Sequence, residues 1–371
     1  MMDYITTSNL YWDRFDLSVV KQMWFTEEEL WRCTAKKGDL LICEGGDIGR
    51  AAIWNYDYDI RIQNHIHRLR GYKGINHRFY YFVFLLYKLS NRIGGKGVAI
   101  QGLSSGDLHK LEVPLPPEYE QIRLVKTIEK WFKFVDLLEQ EQENLHTLVQ
   151  STKSKILDLA ISGKLVPQDP NDEPAIELLR RINPAFKPCD NSHYENLPEN
   201  WCLAKVKDVF VINPRNKAED NTIAGFIPMT LIDDGYSNTF SYEKRKWGAI
   251  KTGFTHFADG DVAVAKISPC LENRKSIVLR DLPNGIGAGT TELHVFRSSV
   301  VSPEYALYFF KSEYFISRCV GTFNGVVGQQ RVGKNIIEEI QIPIPPINEQ
   351  TKIVSTIEKI FTQLNTITAE L

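Results

Sequence analysis

Residues Leu111–Phe132 read LEVPLPPEYEQIRLVKTIEKWF, and 229 residues later Ile340–Phe361 read IQIPIPPINEQTKIVSTIEKIF. Both stretches carry a Pro-x-Pro-Pro run, then Glu-Gln, then Thr-Ile-Glu-Lys at identical spacing. Chance does not produce a pattern of this length twice in one chain. An internal repeat of this kind indicates two copies of one structural unit.

A weaker repeat lies upstream of these two stretches. At an offset of 222 residues, Tyr4-Ile5 aligns with Phe226-Ile227 and Gly38-Asp39 aligns with Gly260-Asp261. Each Gly-Asp pair precedes a short apolar run, which predicts a turn followed by a strand. Each copy is therefore expected to be a strand-rich domain, then a Pro-rich hinge, then a helix.

The segment after the first hinge predicts a long helix. No Gly or Pro occurs between Glu118 and Ser162, and Gly163 stands where a C-terminal cap is expected. Such a helix, about 65 Å long, exceeds one compact domain, so we expect it to pair with the second helix, residues 347–371. Packing of the helix on its own domain is the alternative. One apolar stripe recurs at a spacing of three or four, formed by Ile122, Val125, Ile128, Phe132, Val135, Leu138, Leu145, Leu148, Ile156 and Leu159.

These patterns predict an α+β fold with an internal pseudo-repeat. The expected parts are a first strand-rich α/β domain (1–112), a hinge with the long helix and a short helix at 175–182 (113–182), a second strand-rich domain (183–341), and a second hinge with a shorter helix (342–371). The two helices are expected to form an antiparallel coiled coil.

The charge of the chain is distributed unevenly. The net charge is −2, yet nine Lys or Arg residues and one acid, Asp107, fall between Arg61 and Lys110. Between Lys244 and Arg280 eight basic residues face three acids. Two separate basic blocks favour two phosphate-facing surfaces, with ordinary solvated charge as the alternative.

Several classes of protein are disfavoured by composition. The six cysteines form no Cys-x-x-Cys pair, which makes a zinc site improbable and fits free thiols in a reducing cytoplasm. No apolar run approaches the ~20 residues that span a bilayer, and no secretory signal is visible. We therefore expect a cytoplasmic protein without metal, cofactor or membrane contact.

Three sequences superficially resemble catalytic motifs, and each fails at a required position. Residues 328–335, GQQRVGKN, carry Asn335 where a phosphate-binding loop needs Ser or Thr for Mg²⁺. The run Asn183-Pro184-Ala185-Phe186 departs from the methyltransferase N-P-P-F motif at its third residue. Asp261 with Lys266 lacks the second acid of a nuclease site. We expect no catalysis by this chain.

The two hinges, the segment KILDLAISGKLVPQ at 155–168, the opening LPENW at 197–201 and the two Gly-Asp turns together resemble the specificity subunits of type I restriction-modification systems. The resemblance covers essentially the whole chain and is most specific over the hinge and helix. It implies that the strand-rich domains are target-recognition domains, each reading half of a bipartite site in double-stranded DNA, with the helices fixing the spacing.

The resemblance also implies partners. Methyltransferase (M) subunits would bind this scaffold and restriction (R) subunits would join them, with S-adenosylmethionine, ATP and Mg²⁺ used in those partners. Residues 197–225 have almost no counterpart before Tyr4, and nothing follows Leu371 that matches the first helix from about Glu143. We therefore expect a chain shortened at both ends: a fragment, an alternative start or part of a split subunit.

Candidate DNA-reading residues are charged and amide side chains in polar segments, because these address base edges and phosphates. The loops 44–50 and 266–275 are the main candidates, with an ordinary surface hairpin as the alternative for each. The candidate residues are Glu44, Asp47, Arg50, Arg68, Arg70, Lys96, Lys266, Asn273, Arg274, Lys275 and Arg331. The candidate spacer or partner-binding residues are Pro117, Glu120, Gln121, Ile128, Phe132, Leu145, Leu148, Glu349, Gln350 and Phe361.

Two other functions compete with this interpretation. A complete restriction-methylation enzyme requires the catalytic motifs that fail above. A coiled-coil interaction protein without DNA specificity requires that the two basic blocks have no nucleic-acid role.

Overall fold

The computed structural model describes residues 1–63, 65–93, 103–190, 197–322 and 330–369, and the chain forms two compact units, Met1–Gln140 (unit 1) and Glu141–Leu371 (unit 2). The elements that begin in unit 1 are β1 Met2–Ile5, β2 Leu10–Tyr11, β3 Arg14–Phe15, β4 Lys21–Met23, α1 Glu27–Cys33, β5 Thr34–Ala35, β6 Leu40–Cys43, β7 Ala51–Ile53, β8 Ile60–Ile62, β9 Ile66–Leu69, α2 His77–Leu89, α3 Ser105–Lys110 and α4 Glu118–Ile161.

Unit 2 contains the end of α4 and the remaining elements. These are α5 Ala175–Ile182, β10 Cys202–Lys205, α6 Val206–Val209, β11 Val211–Ile212, β12 Ile223–Ile227, β13 Glu243–Lys246, α7 Trp247–Ile250, β14 Thr255–Ala258, β15 Val262–Ala265, β16 Ser276–Val278, β17 Ile286–Gly289, β18 Leu293–Arg297, α8 Pro303–Lys311, α9 Glu313–Val320, α10 Lys334–Glu339, β19 Gln341–Ile344 and α11 Ile347–Ala369, with 3-10 turns at Met229–Leu231 and Pro283–Gly285.

The sheets of the two units have the same topology. One sheet runs β4-β1-β8-β5 in unit 1 and β13-β12-β17-β14 in unit 2. In each the central pair is parallel, Ile5 opposite Ile62 and Ile227 opposite Gly289. The upstream repeat is therefore confirmed as a duplicated fold, since strand order and direction are reproduced from sequences that share few residues.

The second sheet carries the apolar runs that follow each Gly-Asp turn. β6 lies between β7 and β9, and β15 lies between β16 and β18, with all pairs antiparallel. Every residue of β6 and β15 is buried, as expected of a central strand covered on both faces. In unit 2 this sheet has a fourth strand, β11, at the free edge of β18.

The Gly-Asp turns owe their form to the glycine and the carboxylate together. Gly38 and Gly260 have φ of 93° and 85°, a region that favours glycine. The buried Asp39 carboxylate accepts a hydrogen bond from the Lys36 amide at 2.8 Å, and Asp261 accepts one from the Ala258 amide at 2.7 Å. Each turn thus closes on its own backbone before the buried strand begins.

The predicted long helix is present as α4, an uninterrupted helix of 44 residues. Its last turns lie antiparallel to α11. Lys153 Nζ donates to Asn365 Oδ1, near the end of α11, at 2.6 Å. Gly163, just after α4, lies beside Pro198 and Trp201, and Trp201 donates to Glu349 at the start of α11. Ile156, Leu157, Ala160 and Ile161 share one core cluster with residues of α11. The antiparallel pairing is therefore confirmed.

The buried stripe of this pairing region differs from the predicted one at several positions. Val149 is 4% exposed, whereas Leu148 is 62% exposed and Leu159 is also exposed. The prediction that Leu148 and Leu159 face the second helix is wrong. A 3.6-residue period leaves adjacent positions ambiguous when both are apolar, and the fold buries Val149 rather than Leu148.

Nearer its start, α4 packs on unit 1. Val125 is buried, Ile128 lies against the core of α2, and Phe132 stacks on Phe82 with ring centroids 5.9 Å apart. The first turns of α4 therefore pack on their own domain, which was the alternative to pairing with the second helix, and the last turns pack on unit 2.

Candidate nucleic-acid interface

Each predicted DNA-reading loop connects the two strands of a hairpin at the same place in the repeated fold. Residues 44–50 join β6 to β7, and residues 266–275 join β15 to β16. The two loops, which the alignment of the repeats predicts to be equivalent, thus occupy equivalent positions in the two sheets.

The first loop is held by contacts within unit 1. Arg50 Nη2 donates to the Thr7 carbonyl at 2.6 Å, and the guanidinium lies 5.0 Å from the Tyr11 ring centre. Asp47 faces Lys88 Nζ at 2.7 Å, and Glu44 lies 3.6 Å from His65 Nδ1. The loop is therefore fixed to the N-terminal strands and to α2, with the Asp47 carboxylate at its partly exposed surface.

The second loop uses two of its candidate residues internally. Arg274 donates to Glu313 at 2.8 Å and to the Lys311 carbonyl at 3.1 Å, and Lys275 Nζ donates to the Ile232 carbonyl at 2.8 Å. Both side chains thus hold unit 2 together, which departs from their expected part as free DNA contacts. Lys266 and Asn273 have no side-chain hydrogen bond among the described residues, and Asn273 is exposed.

Lys311 is a buried lysine that the sequence pattern did not single out. Its Nζ is fully buried and donates to the carbonyls of Gly235 and Arg274 at 2.7 and 2.8 Å. Burial lowers the pKa of Lys311 to about 7. In the sequence, the position of this lysine directly after the apolar run of α8 could have indicated its burial. A buried cation needs hydrogen-bond acceptors.

Arg70 is tied to a buried carboxylate although its own side chain is 46% exposed. Its guanidinium makes a two-pronged ion pair with the buried Asp39, with Nε to Oδ1 at 2.7 Å. The equivalent pair in unit 2 is Arg297 with Asp261, both bonds 2.7 Å. Arg70 therefore has a structural partner in the fold, and its part in DNA reading stays a prediction. Arg68 likewise donates to the Thr34 carbonyl.

Arg331 is paired with a carboxylate in the folded unit. Its guanidinium bonds Glu292 at 2.7 and 2.9 Å and lowers the pKa of that carboxyl. The neighbouring His294 is buried, and burial lowers its pKa to about 4. Lys96 and residues 323–329, which include the start of the rejected phosphate-loop motif, lie outside the described residues.

The two hinge glutamines make the same three hydrogen bonds in each unit. Gln121 Oε1 accepts from the Asn76 amide at 2.8 Å, and Gln350 Oε1 accepts from the Ser302 amide at 2.7 Å. Asn76 and Ser302 are the N-caps of α2 and α8. Each glutamine Nε2 donates to the carbonyls two residues before the cap and five residues before itself. The hinge glutamine therefore joins the start of the spacer helix to the core helix of its own unit.

The other spacer candidates occupy different environments. Pro117 is the acceptor for the first amides of α4, and Glu120 pairs with Arg123 at 2.5 Å. Glu349 is buried, which raises its pKa, and it accepts from Trp201 Nε1 at 3.0 Å. Phe361 lies 5.5 Å from the Tyr236 ring and 6.0 Å from the Tyr308 ring. Leu145 is half-buried.

The middle of α4 is an apolar surface. All residues from 131 to 140 are exposed, including the large apolar side chains Trp131, Phe132, Phe134, Val135, Leu137 and Leu138. Exposed apolar area of this kind marks protein contact surfaces.

Neither a membrane-spanning helix nor a cluster of metal ligands is found among the described residues. None of the described helices combines the length and hydropathy needed to cross a membrane. Among the same residues, no three His, Cys, Asp or Glu side chains come together as a metal site.

Comparison with known proteins connects this doubled fold to one family. The sequence model of the type I restriction modification DNA specificity domain matches residues 5–147 and 198–371, once in each copy. The chain belongs to this family. The repeat seen in the sheets is thus also the repeat of the family's domain.

Curated relatives agree with this assignment. The chain is 39% identical over 232 residues to the type I restriction enzyme EcoEI specificity subunit of Escherichia coli, and 39% identical over 242 residues to the EcoAI specificity subunit of the same species. These alignments cover 57% and 60% of this chain, but only 39% and 40% of the relatives. The chain therefore spans about two fifths of the length of these proteins.

Solved structures show the fold at lower identity. The HsdS subunit of Thermoanaerobacter tengcongensis matches with a TM-score of 0.56 over 100% of this chain and 85% of that one, at 14% identity. A chain from a study of type I R-M complex assembly and conformational transition matches with a TM-score of 0.59, 100% and 86% coverage and 14% identity. The predicted fold class, two strand-rich domains with long helices and an internal repeat, is confirmed.

Proposed function

We propose that this chain is the sequence-reading, non-catalytic subunit of a type I restriction-modification complex. The observation that carries the proposal is the duplicated family domain, each copy ending in the same glutamine-anchored spacer helix. Two equivalent domains joined through helices suit a bipartite site in double-stranded DNA, one domain for each half.

Each unit would contact its half-site through its hairpin loop, residues 44–50 in unit 1 and 266–275 in unit 2. In unit 2, Lys266 and Asn273 are the candidates whose side chains are not used inside the fold. In unit 1, Asp47 and Glu44 lie at the loop, where carboxylates can accept from cytosine N4. Pre-fixed loops of this kind lose little conformational entropy on binding.

The methyltransferase (M) subunit would contact the exposed apolar band of α4, residues 131–138. The R subunit would join through that assembly. S-adenosylmethionine, ATP and Mg²⁺ would be used in those subunits, which accords with the failed catalytic motifs of this chain.

A coiled-coil interaction protein without DNA specificity is the second candidate. The observation that favours it is the internal use of basic side chains, since Arg68, Arg70, Arg274, Lys275 and Arg331 all have partners within the fold.

Methylation mapping separates the two functions. The chain is expressed with its M subunit, and methylated positions in the host DNA are sequenced. We expect one bipartite motif that is absent when the M subunit is expressed alone. Methylation without any motif, or none above the control, would favour the coiled-coil alternative.

A further inference from the structure

In each unit, one lysine at the end of the core helix, α2 or α8, holds the backbone of the hairpin loop. In unit 2, Lys311 Nζ donates to the Arg274 carbonyl of that loop at 2.8 Å. In unit 1, Lys88 Nζ donates to the Ile48 carbonyl of the equivalent loop at 3.0 Å. Lys311 is the last residue of α8, and Lys88 lies in the last turn of α2. The same kind of contact, from helix end to loop backbone, therefore occurs twice.

The two lysines do not occupy equivalent positions of the repeat. Lys311 stands nine residues after Ser302, the N-cap of α8, whereas Lys88 stands twelve residues after Asn76, the N-cap of α2. Positions that differ by three residues lie on the same face of a helix, about one turn apart. Inheritance from one ancestral lysine therefore does not account for the shared contact, which indicates that the loop itself requires it.

In unit 2 the lysine restrains the loop at its candidate base contact. Arg274 has a φ of 57°, which is uncommon for a residue other than glycine. Lys311 Nζ also donates to the Gly235 carbonyl at 2.7 Å, and the Gly235 amide donates to the Asn273 carbonyl at 2.7 Å. Because a buried amine is unfavourable without its acceptors, moving either carbonyl is costly. The backbone on which the exposed Asn273 side chain stands is thus fixed.

In unit 1 the lysine restrains the loop at the corresponding candidate. Lys88 Nζ lies 2.7 Å from Asp47 Oδ1, in addition to its bond with the Ile48 carbonyl. Gly49, the next residue, has a φ of 85°. One ammonium group therefore holds both the side chain of Asp47 and the adjacent backbone.

The other end of each core helix is fixed by the hinge glutamine. Gln121 Oε1 accepts from the amide of the α2 N-cap, and Gln350 Oε1 accepts from the amide of the α8 N-cap. Each core helix is thus attached to the start of a spacer helix at one end and to the hairpin loop at the other. A continuous hydrogen-bonded helix between the two attachments keeps the loop at a constant orientation to the spacer.

We propose that Lys88 and Lys311 are positioning residues for DNA reading, each holding its hairpin loop so that Asp47 or Asn273 meets the bases of one half-site. This inference rests on the proposed function. A loop that is already ordered loses less conformational entropy on binding. A loop released from its lysine would lose discrimination between bases, because base-edge contacts carry the sequence information that phosphate contacts lack.

Hydrogen exchange of the full chain measures the restraint itself. Lys311→Met keeps a long side chain but removes the donor, so amides of residues 266–275 should exchange about tenfold faster or more. Lys88→Met should have the same effect on residues 44–50, and the lysine side chain there is 27% exposed, so unit 1 should stay folded. Each substitution should leave the loop of the other unit unchanged.

Two control variants separate positioning from stability. Arg297→Ala weakens unit 2 at Asp261, at the opposite end of β15 from the hairpin loop. Lys37→Met removes an exposed lysine whose partner, Asp57, lies outside both loops. Exchange of both loops in these two variants should stay within about twofold of the native rate, because local opening of the loops does not involve either ion pair.

Methylation mapping with the M subunit measures the consequence for reading. Lys311→Met should lower base discrimination about tenfold in one half-site, the order expected for one lost base contact. Lys88→Met should lower it in the other half-site, and neither variant should change the gap. Arg297→Ala and Lys37→Met should give the native motif.

Each possible result decides the proposal. Unchanged exchange of the second loop in Lys311→Met would overturn it, and so would equal loss in both half-sites from a single lysine substitution, since each lysine contacts one loop. A native bipartite motif that both lysine variants reproduce without loss would overturn this inference alone. A native chain that directs no motif would overturn the proposed function, and the inference would fall with it.

Discussion

At the scale of single residues, the two copies of the fold reveal which charged side chains are structural. Asp39 with Arg70 and Asp261 with Arg297 form the same buried-carboxylate pair in units that share little local sequence. A contact made twice by the same fold supports that fold, whereas residues that read different half-sites are expected to differ between copies. Repetition therefore indicates a structural role for Arg70, whose half-exposed guanidinium stays a candidate for DNA contact.

Replacing Arg70 by Ala tests this assignment. The buried Asp39 carboxylate would keep its backbone donor but lose its guanidinium, so we expect the free energy of unfolding to fall by about 1–3 kcal/mol. Denaturant unfolding measures the change, and Arg297→Ala should cost a similar amount in unit 2. Lys37→Ala, which removes an exposed pair with Asp57, should cost under about 1 kcal/mol. Weakened DNA binding with unchanged stability would contradict the structural role and assign Arg70 to DNA reading alone.

Lys311 gives unit 2 a pH-dependent stability. Burial lowers its pKa from 10.5 to about 7, with Arg274 also lowering it and Asp234 raising it. Between these two pH values the unfolded chain carries a proton that the folded chain lacks. The unfolded state therefore binds more protons, and stability rises with pH by up to about 1.4 kcal/mol per pH unit.

Replacing Lys311 by Met should remove that rise. Urea unfolding between about pH 7 and 8, below the ordinary cysteine pKa of about 8.5, compares the slopes of the native chain and the variant. A slope that persists unchanged in Lys311→Met would assign the pH dependence to another group.

At the scale of elements, α4 is one helix with three environments. Its first turns pack on α2, its middle is exposed, and its last turns pack on α11. Val149 rather than Leu148 is the buried position in this part of the helix, so tertiary packing decides which face is covered.

Adjacent substitutions in α4 test this register. Val149→Asp would bury a carboxylate and should lower the stability of unit 2 by at least about 2 kcal/mol. Leu148→Asp, one residue away, should change stability by less than about 0.5 kcal/mol, because the side chain is exposed. Chemical unfolding compares the two variants, and equal losses would contradict the buried position of Val149.

Insertions after Glu141 test the helix as the spacer of the proposed function. Four residues lengthen the helix by about 6 Å and turn it by about 400°, close to one full turn. The gap between half-sites should then grow by about one to two base pairs, since B-DNA rises about 3.4 Å per pair. The contacts with α11 lie after the insertion point and should persist.

An insertion of two residues at the same place is the matched control. It turns the helix by about 200° and should abolish methylation while both units stay folded. Sequencing of methylated positions, with the M subunit present, measures both outcomes. Altered half-site sequences with an unchanged gap would show that α4 does not set the spacing.

At the scale of the whole molecule, the chain has little net charge, and its basic residues are concentrated in two blocks. The net charge is −2, and several cations of both basic blocks are paired inside their units. Few phosphate contacts then remain for DNA, and the electrostatic part of binding should be modest.

Salt dependence of DNA binding by the chain alone measures this directly. Each phosphate contact contributes about −0.9 to the slope of log affinity against log salt, so we expect a total slope of about −2 to −6. Fluorescence anisotropy with a labelled duplex over a range of salt concentrations gives the slope. A slope near zero would favour the coiled-coil alternative, and one far steeper would mean that the paired arginines are released on binding.

The sequence by itself determined the repeat, the hinges and the helices. These depend on local rules: proline positions, an unbroken run without Gly or Pro in α4, and the Gly-Asp turns. It also predicted that the two hairpin loops are equivalent, because an offset in the chain becomes an equivalent place in a duplicated sheet.

Only the tertiary structure decided the fate of individual polar residues. Arg274 in a polar loop looks the same in sequence whether it faces solvent or bonds Glu313, and Gln121 shows no sign of its bond to the amide of Asn76. These partners lie 39 and 45 residues apart in the chain. Local pattern carries no information about such distant partners, because the approach that forms them is produced by the packing of strands and helices.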